Sequence, residues 1–343
     1  MESLENLMEE TIKTLETGFY SKKFYFSYSS MSKLLWNPVV FHQLYVLGIK
    51  DEKTEAHLVQ GKLIHGLLLE PEKFNEQFMV SPDNLPTGNT RTVVDRVFAH
   101  HTELAKNGDD RTTLVEFTDA IIDILKDMNL HQSLKTDQQR IDKIFTPEAV
   151  NYWDFLKAKG EKTLIDQQTY DYCNNAVEII KTNKKVCDLI GLNVTEFDNK
   201  QVLNETALQM EMPSRPFGLK GILDNLVIDH DKKILYINDV KTTSKDLKDF
   251  SESVEFYGYW MQAVIYCSLV NINFAHLIEQ GYQIKFHFIT VDKMFQTYAF
   301  HVKESTLVTW LERLRETLNK VQWHYENKSY DLPYDFATDS ITL

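Results

Sequence analysis

A chain of 343 residues with 43% hydrophobic and 12% aromatic content holds enough apolar material for one large core or two modest ones. With only 12 Gly and 8 Pro it is not a linker-rich or low-complexity protein. The 37 basic residues against 50 acidic ones give a formal charge of −13, which counts against broad, salt-driven binding to nucleic acid, although a local basic channel or a bound metal can override that average.

The three cysteines, Cys173, Cys187 and Cys267, lie far apart with no C-x-x-C spacing, so neither a disulfide framework nor a zinc or iron–sulfur site is indicated. The first ten residues are acidic and amphipathic, the wrong pattern for a signal peptide, and no apolar run approaches a membrane span. A reducing, cytoplasmic location is the expectation. The chain shows no internal repeat.

Residues 1–18 read as a short helix with Leu4, Leu7, Met8, Ile12 and Leu15 on one face, a packing or oligomer element. From Phe26 the serines offer a helix N-cap, and Pro38 ends or kinks that capped segment. Between Thr54 and Leu69 the positions Leu58, Leu63, Ile64, Leu67 and Leu68 mark a helix that stops before Pro71. His65 sits beside Ile64 and Leu68, so its face is largely buried; a satisfied core histidine and a metal ligand both remain open there. Residues 82–90 are the clearest loop. Helical patterns at 113–129, 137–144, 147–158 and 166–182 carry the chain to about residue 190, with Lys181–Lys185 a solvated helix end.

After Gly191 the period changes. Val202–Met212 reads as a strand, in which Glu205 is either an acidic site group or an edge-strand charge. Apolar runs at 221–228 and 234–240 then flank the polar cluster Asp229–Lys232, the pattern of a β-hairpin. Asp224, Asp239 and Lys241 interrupt these runs, and a buried charge requires a partner or a metal. With the loop at 229–232, Asp224 falls opposite Ile237, and Asp239 and Lys241 share its face because side chains alternate with period two. Two converging carboxylates suit a hard divalent cation such as Mg²⁺ or Mn²⁺. Lys241 adds a positive charge that would polarise an attacking water or offset charge on a phosphorane-like transition state, which makes a sensible phosphodiesterase site.

Residues 253–271 are predicted as one helix, with Gln262 and Tyr266 projecting together. They would contact a phosphate or position the metal site, or else pack in the core. Gln283–Thr290 and Gln296–Val302 form a second hairpin closing the sheet, Ser305–Tyr325 a final amphipathic helix, and the tail after Tyr330 is expected to be extended and loosely held.

Taken together, Glu205, Gly221-x-x-Asp224, Asp239-x-Lys241 and Gln262-x-x-x-Tyr266 resemble the PD-(D/E)XK nuclease superfamily, in the branch of RecB-like nuclease domains and RecE-type exonucleases. Upstream, Ser27-x-Ser29 leading to Pro38 and Phe41, followed by Gly61-x-x-x-His65-x-x-Leu68-Leu69-Glu70-Pro71-x-x-Phe74, is similar to the RecE-type N-terminal region. The resemblance implies an α/β (α+β) fold, a central mixed β-sheet flanked by helices, with a restriction-endonuclease-like core and a helical N-terminal half. It divides the chain into a helical region at 1–200 that contributes His65, a nuclease core at 201–325 and a tail at 326–343, together one compact domain.

The resemblance further implies metal ligation by His65, Asp224 and Asp239, catalytic support from Lys241 and Glu205, and Gln262 and Tyr266 beside the DNA path. Leu223 stands where the superfamily's name-giving Pro would precede Asp224, and the four cysteines of its iron–sulfur members are absent. The implied activity is a Mg²⁺- or Mn²⁺-dependent DNA exonuclease of the phage-recombination type, acting on duplex ends and leaving a 3′ overhang for a strand-annealing partner. Related exonucleases form rings, so a homo-oligomer is in view. A structure-specific or restriction-like endonuclease, or an inactive DNA- or protein-binding module on the same fold, are the alternatives.

Overall fold

The structure, a computed structural model, describes residues 2–49, 56–82 and 84–341. The Leu4, Leu7 and Met8 side chains of the predicted first helix, Thr54 at the predicted start of the His65 helix and Asp83 of the predicted loop lie outside the described residues. By internal packing the chain forms two compact units, one comprising residues 1–71 and 173–343 and the other 72–172.

Eight strands occur along the described chain: β1 (Tyr25–Phe26), β2 (Phe78–Val80), β3 (Thr163–Ile165), β4 (Lys200–Met210), β5 (Gly218–Asp229), β6 (Ile234–Thr243), β7 (Gln283–Asp292) and β8 (Thr297–Val302). In the first unit, six of them make a mixed sheet ordered β1-β5-β6-β7-β8, with β4 also on β5. The pairs β4–β5, β5–β6 and β7–β8 are antiparallel, whereas β1–β5 and β6–β7 are parallel. The mixed central sheet flanked by helices is the expected fold class.

The sheet is held from both faces. Leu226, Ile228, Leu235, Ile237, Phe286 and Phe288 pack into one core with Val264, Ile265 and Leu269 of the helix Tyr259–Asn273 and with Leu314 and Leu318 of the helix Glu304–Asn327. On the other face the helix Lys184–Ile190 presents the Leu189 and Ile190 carbonyls to amide donors of β5 and β6. Those helix-terminal carbonyls lack intrahelical partners, and side chains of the sheet satisfy them.

The second unit pairs β2 with β3 in parallel and packs Val93, Val97, Phe117, Ile121, Leu125 and Trp153 into a core of its own. Its small sheet has no counterpart among the sequence expectations, because three-residue strands carry too little periodicity to register.

Several boundaries differ from the expected ones for identifiable reasons. The helix predicted at 253–271 is two, Phe250–Phe256 and Tyr259–Asn273, because Gly258 takes a left-handed φ of +71° between them. Leu58, assigned by spacing to the buried face, is exposed. The segment past Tyr330 contains a turn of helix, Tyr334–Ala337, whose Asp335 carboxylate accepts two 2.8 Å bonds from Lys320 Nζ. Among the described residues, no helix is long and apolar enough to cross a membrane.

Candidate metal centre

The hairpin of β5 and β6 carries the charged residues, but in a different register from the one the loop suggested. Asp229 stays in β5, opposite Ile234, and its Oδ1 accepts the Lys232 N–H at 2.9 Å, so the turn is residues 230–233. Every pair shifts by two: Ile237 faces Leu226 rather than Asp224, and the ladder ends at Asn225–Asn238.

One residue further, Asp224 and Asp239 would be direct partners. There the backbone ladder opens, and the Val240 N–H donates to Asp224 Oδ2 at 2.7 Å. A carboxylate has replaced a strand carbonyl. The opening follows from topology: β4 lies along one edge of β5, so β1 at Gly218–Leu219 and β6 from Asn225 onward share the other edge, with residues 220–224 between them outside either ladder on that side.

The β4–β5 ladder is interrupted at the same level. Pairing runs Asn204–Asn225 and then Thr206–Leu223, skipping Glu205 and Asp224. Glu205 has a φ of +44°, uncommon for a residue with a Cβ, and since the register is the same on either side it marks a local break in the ladder. Strict alternation also slips here, since Leu223 and Leu226 both join the core under the Tyr259–Asn273 helix. Glu205, Asp224 and Asp239 thus occupy one transverse level of three adjacent strands.

His65, on the helix Ala56–Leu69, reaches this level. Its Nε2 lies 2.9 Å from the Val240 carbonyl and 3.6 Å from Asp224 Oδ2, and its Nδ1 lies 3.7 Å from Glu205 Oε1. Burial pulls the imidazole toward the neutral form, but Asp224, Glu205 and the Val240 carbonyl together outweigh it and raise the pKa to about 9. One ligand atom from each of His65, Glu205 and Asp224 falls within 4.8 Å of the others.

Asp239 is fully buried, and Lys241 Nζ lies 2.6 Å from its Oδ2. Burial raises the Asp239 carboxyl above its usual range, against the lowering effect of Lys241. For Lys241 burial favours the neutral amine, yet the charges of Asp239 and Asp224 prevail and hold it firmly protonated. Lys241 thus meets Oδ2, while Asp239 Oδ1 is left without a hydrogen-bond partner among the described residues. The Lys241 ammonium also lies 4.9 Å over the ring of Tyr259.

Gln262 and Tyr266 point into the interior. Both are buried, and Gln262 Nε2 donates to the Tyr266 hydroxyl at 2.9 Å. The Tyr266 ring packs on Gly221, where a Cβ would come within 2.7 Å of it. This explains the glycine three residues before Asp224 and makes the pair a wall of the site rather than a surface contact. Burial, with the charges of Asp224 and Asp239, raises the Tyr266 pKa and keeps it a neutral phenol.

One feature escaped the sequence reading. Asn204, Asn225 and Asn238, each adjacent in sequence to one of the three acids, form an amide ladder across β4, β5 and β6. Asn238 Nδ2 donates to Asn225 Oδ1 at 2.7 Å, and Asn225 Nδ2 donates to Asn204 Oδ1 at 2.8 Å. Asn204 Nδ2 continues to the Leu69 carbonyl, at the end of the His65 helix, at 2.7 Å. The available signal was an asparagine beside each acid within otherwise apolar strands, where an amide is costly unless fully bonded.

An imidazole and carboxylate oxygens, with the buried Asp239 Oδ1 left unfilled beside them, suit a hard divalent cation, so the residues present fit a metal. A mixed sheet bearing this set defines a nuclease core. The chain belongs to the PD-(D/E)XK nuclease superfamily, whose sequence profile matches residues 25–332. No curated protein sequence matches it. Among solved structures, it is similar to a protein from Eubacterium rectale that carries a provisional exonuclease name, at 12% identity and a TM-score of 0.46, over 90% of this chain and 84% of that one. It is also similar to a protein designated SSO0001, at 12% identity and a TM-score of 0.22, over 67% of this chain and 87% of that one.

Proposed function

We propose that this nuclease is a Mg²⁺- or Mn²⁺-dependent DNA exonuclease that hydrolyses phosphodiester bonds from duplex ends. The observation that carries the reading is the convergence of His65, Glu205 and Asp224 within 4.8 Å beside the buried Asp239–Lys241 pair. His65, Asp224 and Asp239 are the proposed ligands, with Glu205 the further acidic group at the same level. A cation held there supplies a more acidic water and neutralisation of phosphate charge.

The chain's own residues supply the rest. Asp239 keeps Lys241 protonated and fixed, so a full positive charge stands ready where phosphoryl oxygens gain negative charge. Val240 contributes from both sides of its peptide positions: its N–H orients Asp224 and its carbonyl orients His65. Gln262 and Tyr266 support this wall from the core.

The test is digestion of linear and covalently closed circular duplex in Mg²⁺, Mn²⁺ and EDTA, with and without a 5′ phosphate. Linear DNA should be degraded in either metal, circles should persist, and EDTA should stop the reaction. Asp239→Asn and Lys241→Met should each lower the rate by about a hundredfold or more, with thermal unfolding confirming that both variants fold. Undiminished digestion by both would end the catalytic assignment, and cleavage of closed circles would make the enzyme an endonuclease.

A further inference from the structure

A chain of aromatic rings leads outward from Lys241. Tyr259, under the ammonium, stacks on Tyr257 at 5.4 Å and 26°, and Tyr257 meets Phe256 edge-on at 5.0 Å. Exposure rises along the path, reaching 42% at Tyr257 and 68% at Phe256. A single exposed apolar side chain is ordinary. Two features separate this pair from that background.

The first is that the corner presenting the rings is fixed. The helix Phe250–Phe256 ends there, and Gly258 turns the chain into the next helix. The Tyr28 hydroxyl donates to the Tyr257 carbonyl at 2.6 Å, and the Tyr257 N–H donates to the Ser253 carbonyl at 3.0 Å. The second is charge. Glu252 and Glu255, the acids flanking the rings, are paired with Lys245 at 2.9 Å and Arg313 at 2.6 Å, so their repulsion of a phosphate backbone is offset.

We infer that Phe256, backed edge-on by Tyr257, forms a stacking platform for an unpaired nucleobase of the DNA strand whose backbone is cleaved at Lys241. This rests on the nuclease function proposed for the Asp239–Lys241 site. Every base has a π-face, so such a platform tolerates any sequence. A base inside a duplex has both faces covered by its neighbours, whereas a terminal or unpaired base offers a free one. The platform therefore favours ends and unpaired strands over the interior of a duplex, and it does so next to the reactive groups.

The experiment uses an oligonucleotide duplex with 2-aminopurine as an unpaired terminal base, titrated at low salt in EDTA and in Ca²⁺. The proteins are the wild type, Phe256→Ala/Tyr257→Ala and the aromatic swap Phe256→Trp/Tyr257→Phe. Stacking should quench the probe with the wild type and the swap and not with the alanine pair. Affinity for the alanine pair should fall about tenfold. In Mg²⁺ its KM should rise by a similar factor while kcat moves far less, and the swap should restore KM.

Equal quenching by the alanine pair overturns the platform, as does failure of the swap to restore it. Asp239→Asn separates the two ideas. If it is inactive while the alanine pair matches the wild type, the platform alone fails. If it cleaves normally, the catalytic assignment fails whatever the probe reports. A wild type that binds no DNA end in either condition overturns both.

Discussion

Two histidines of this protein, half-buried His65 and buried His287, are driven in opposite directions by their surroundings. His65 lies between carboxylates, which hold it as a cation despite burial. His287, on β7, faces His301 across the β7–β8 pair at a ring separation of 5.0 Å, and its Nδ1 is buried without a hydrogen-bond partner among the described residues. Burial first, and then the positive charges of His301, Lys185 and Lys285, lower its pKa from 6.5 to about 4. Between those values the unfolded chain binds a proton that the folded chain refuses, so falling pH favours unfolding. The contribution is fully present above pH 6.5 and is lost as the pH drops through 4, amounting to about 2–3 kcal/mol. Chemical denaturation between pH 7 and pH 4 should show a shallower acid limb for His287→Phe than for the wild type; parallel limbs would refute this origin of the pH dependence.

At the scale of elements, the amide ladder links the three acid-bearing strands to two helix ends. Asn225 is its middle rung: it donates to Asn204 and to the Ile190 carbonyl, and it accepts from Asn238. Asn225→Ala should strand the Asn204 and Ile190 oxygens and cost about 2–4 kcal/mol of stability, read as a lower denaturation midpoint. A cost below about 0.5 kcal/mol would mean that the ladder is not a structural clamp. The elements that were legible beforehand are those in which burial and period agree, such as the hairpins β5–β6 and β7–β8 and the final helix. Asp224 shows why the local geometry was not. Its position was derived from an unbroken alternation, and the strand breaks that alternation at Asp224 itself, where β1 and β6 leave part of one β5 edge outside either ladder. The Asp229 side chain, by capping the turn, moved the register by two residues without changing parity. Glu205 is legible in the sequence as an acid, but its left-handed backbone, at a break in the ladder against β5, is not. Gln262 and Tyr266 were recognised as a pair, yet only the packing of Tyr266 on Gly221 reveals that they are interior.

Over the whole molecule, the formal charge of −13 must be reconciled with a polyanionic substrate. Among the described residues, three cations beside the candidate site are already paired: Lys241 with Asp239, Lys245 with Glu252 and Arg313 with Glu255. Attraction to the phosphate backbone is therefore local, and binding has to draw on the metal site and on contacts at a strand end. Each phosphate neutralised by a protein cation adds close to one unit to the slope of log affinity against log salt on duplex DNA. A slope of magnitude about 3 or less is expected between 50 and 200 mM KCl, measured by fluorescence anisotropy on a linear duplex in Ca²⁺. A wide basic channel would instead give a slope near 6 or steeper and would bind the interior of a long duplex as well as its ends. Such a result would require a phosphate-binding surface away from these paired cations, and end selection could then no longer be attributed to the weakness of backbone attraction.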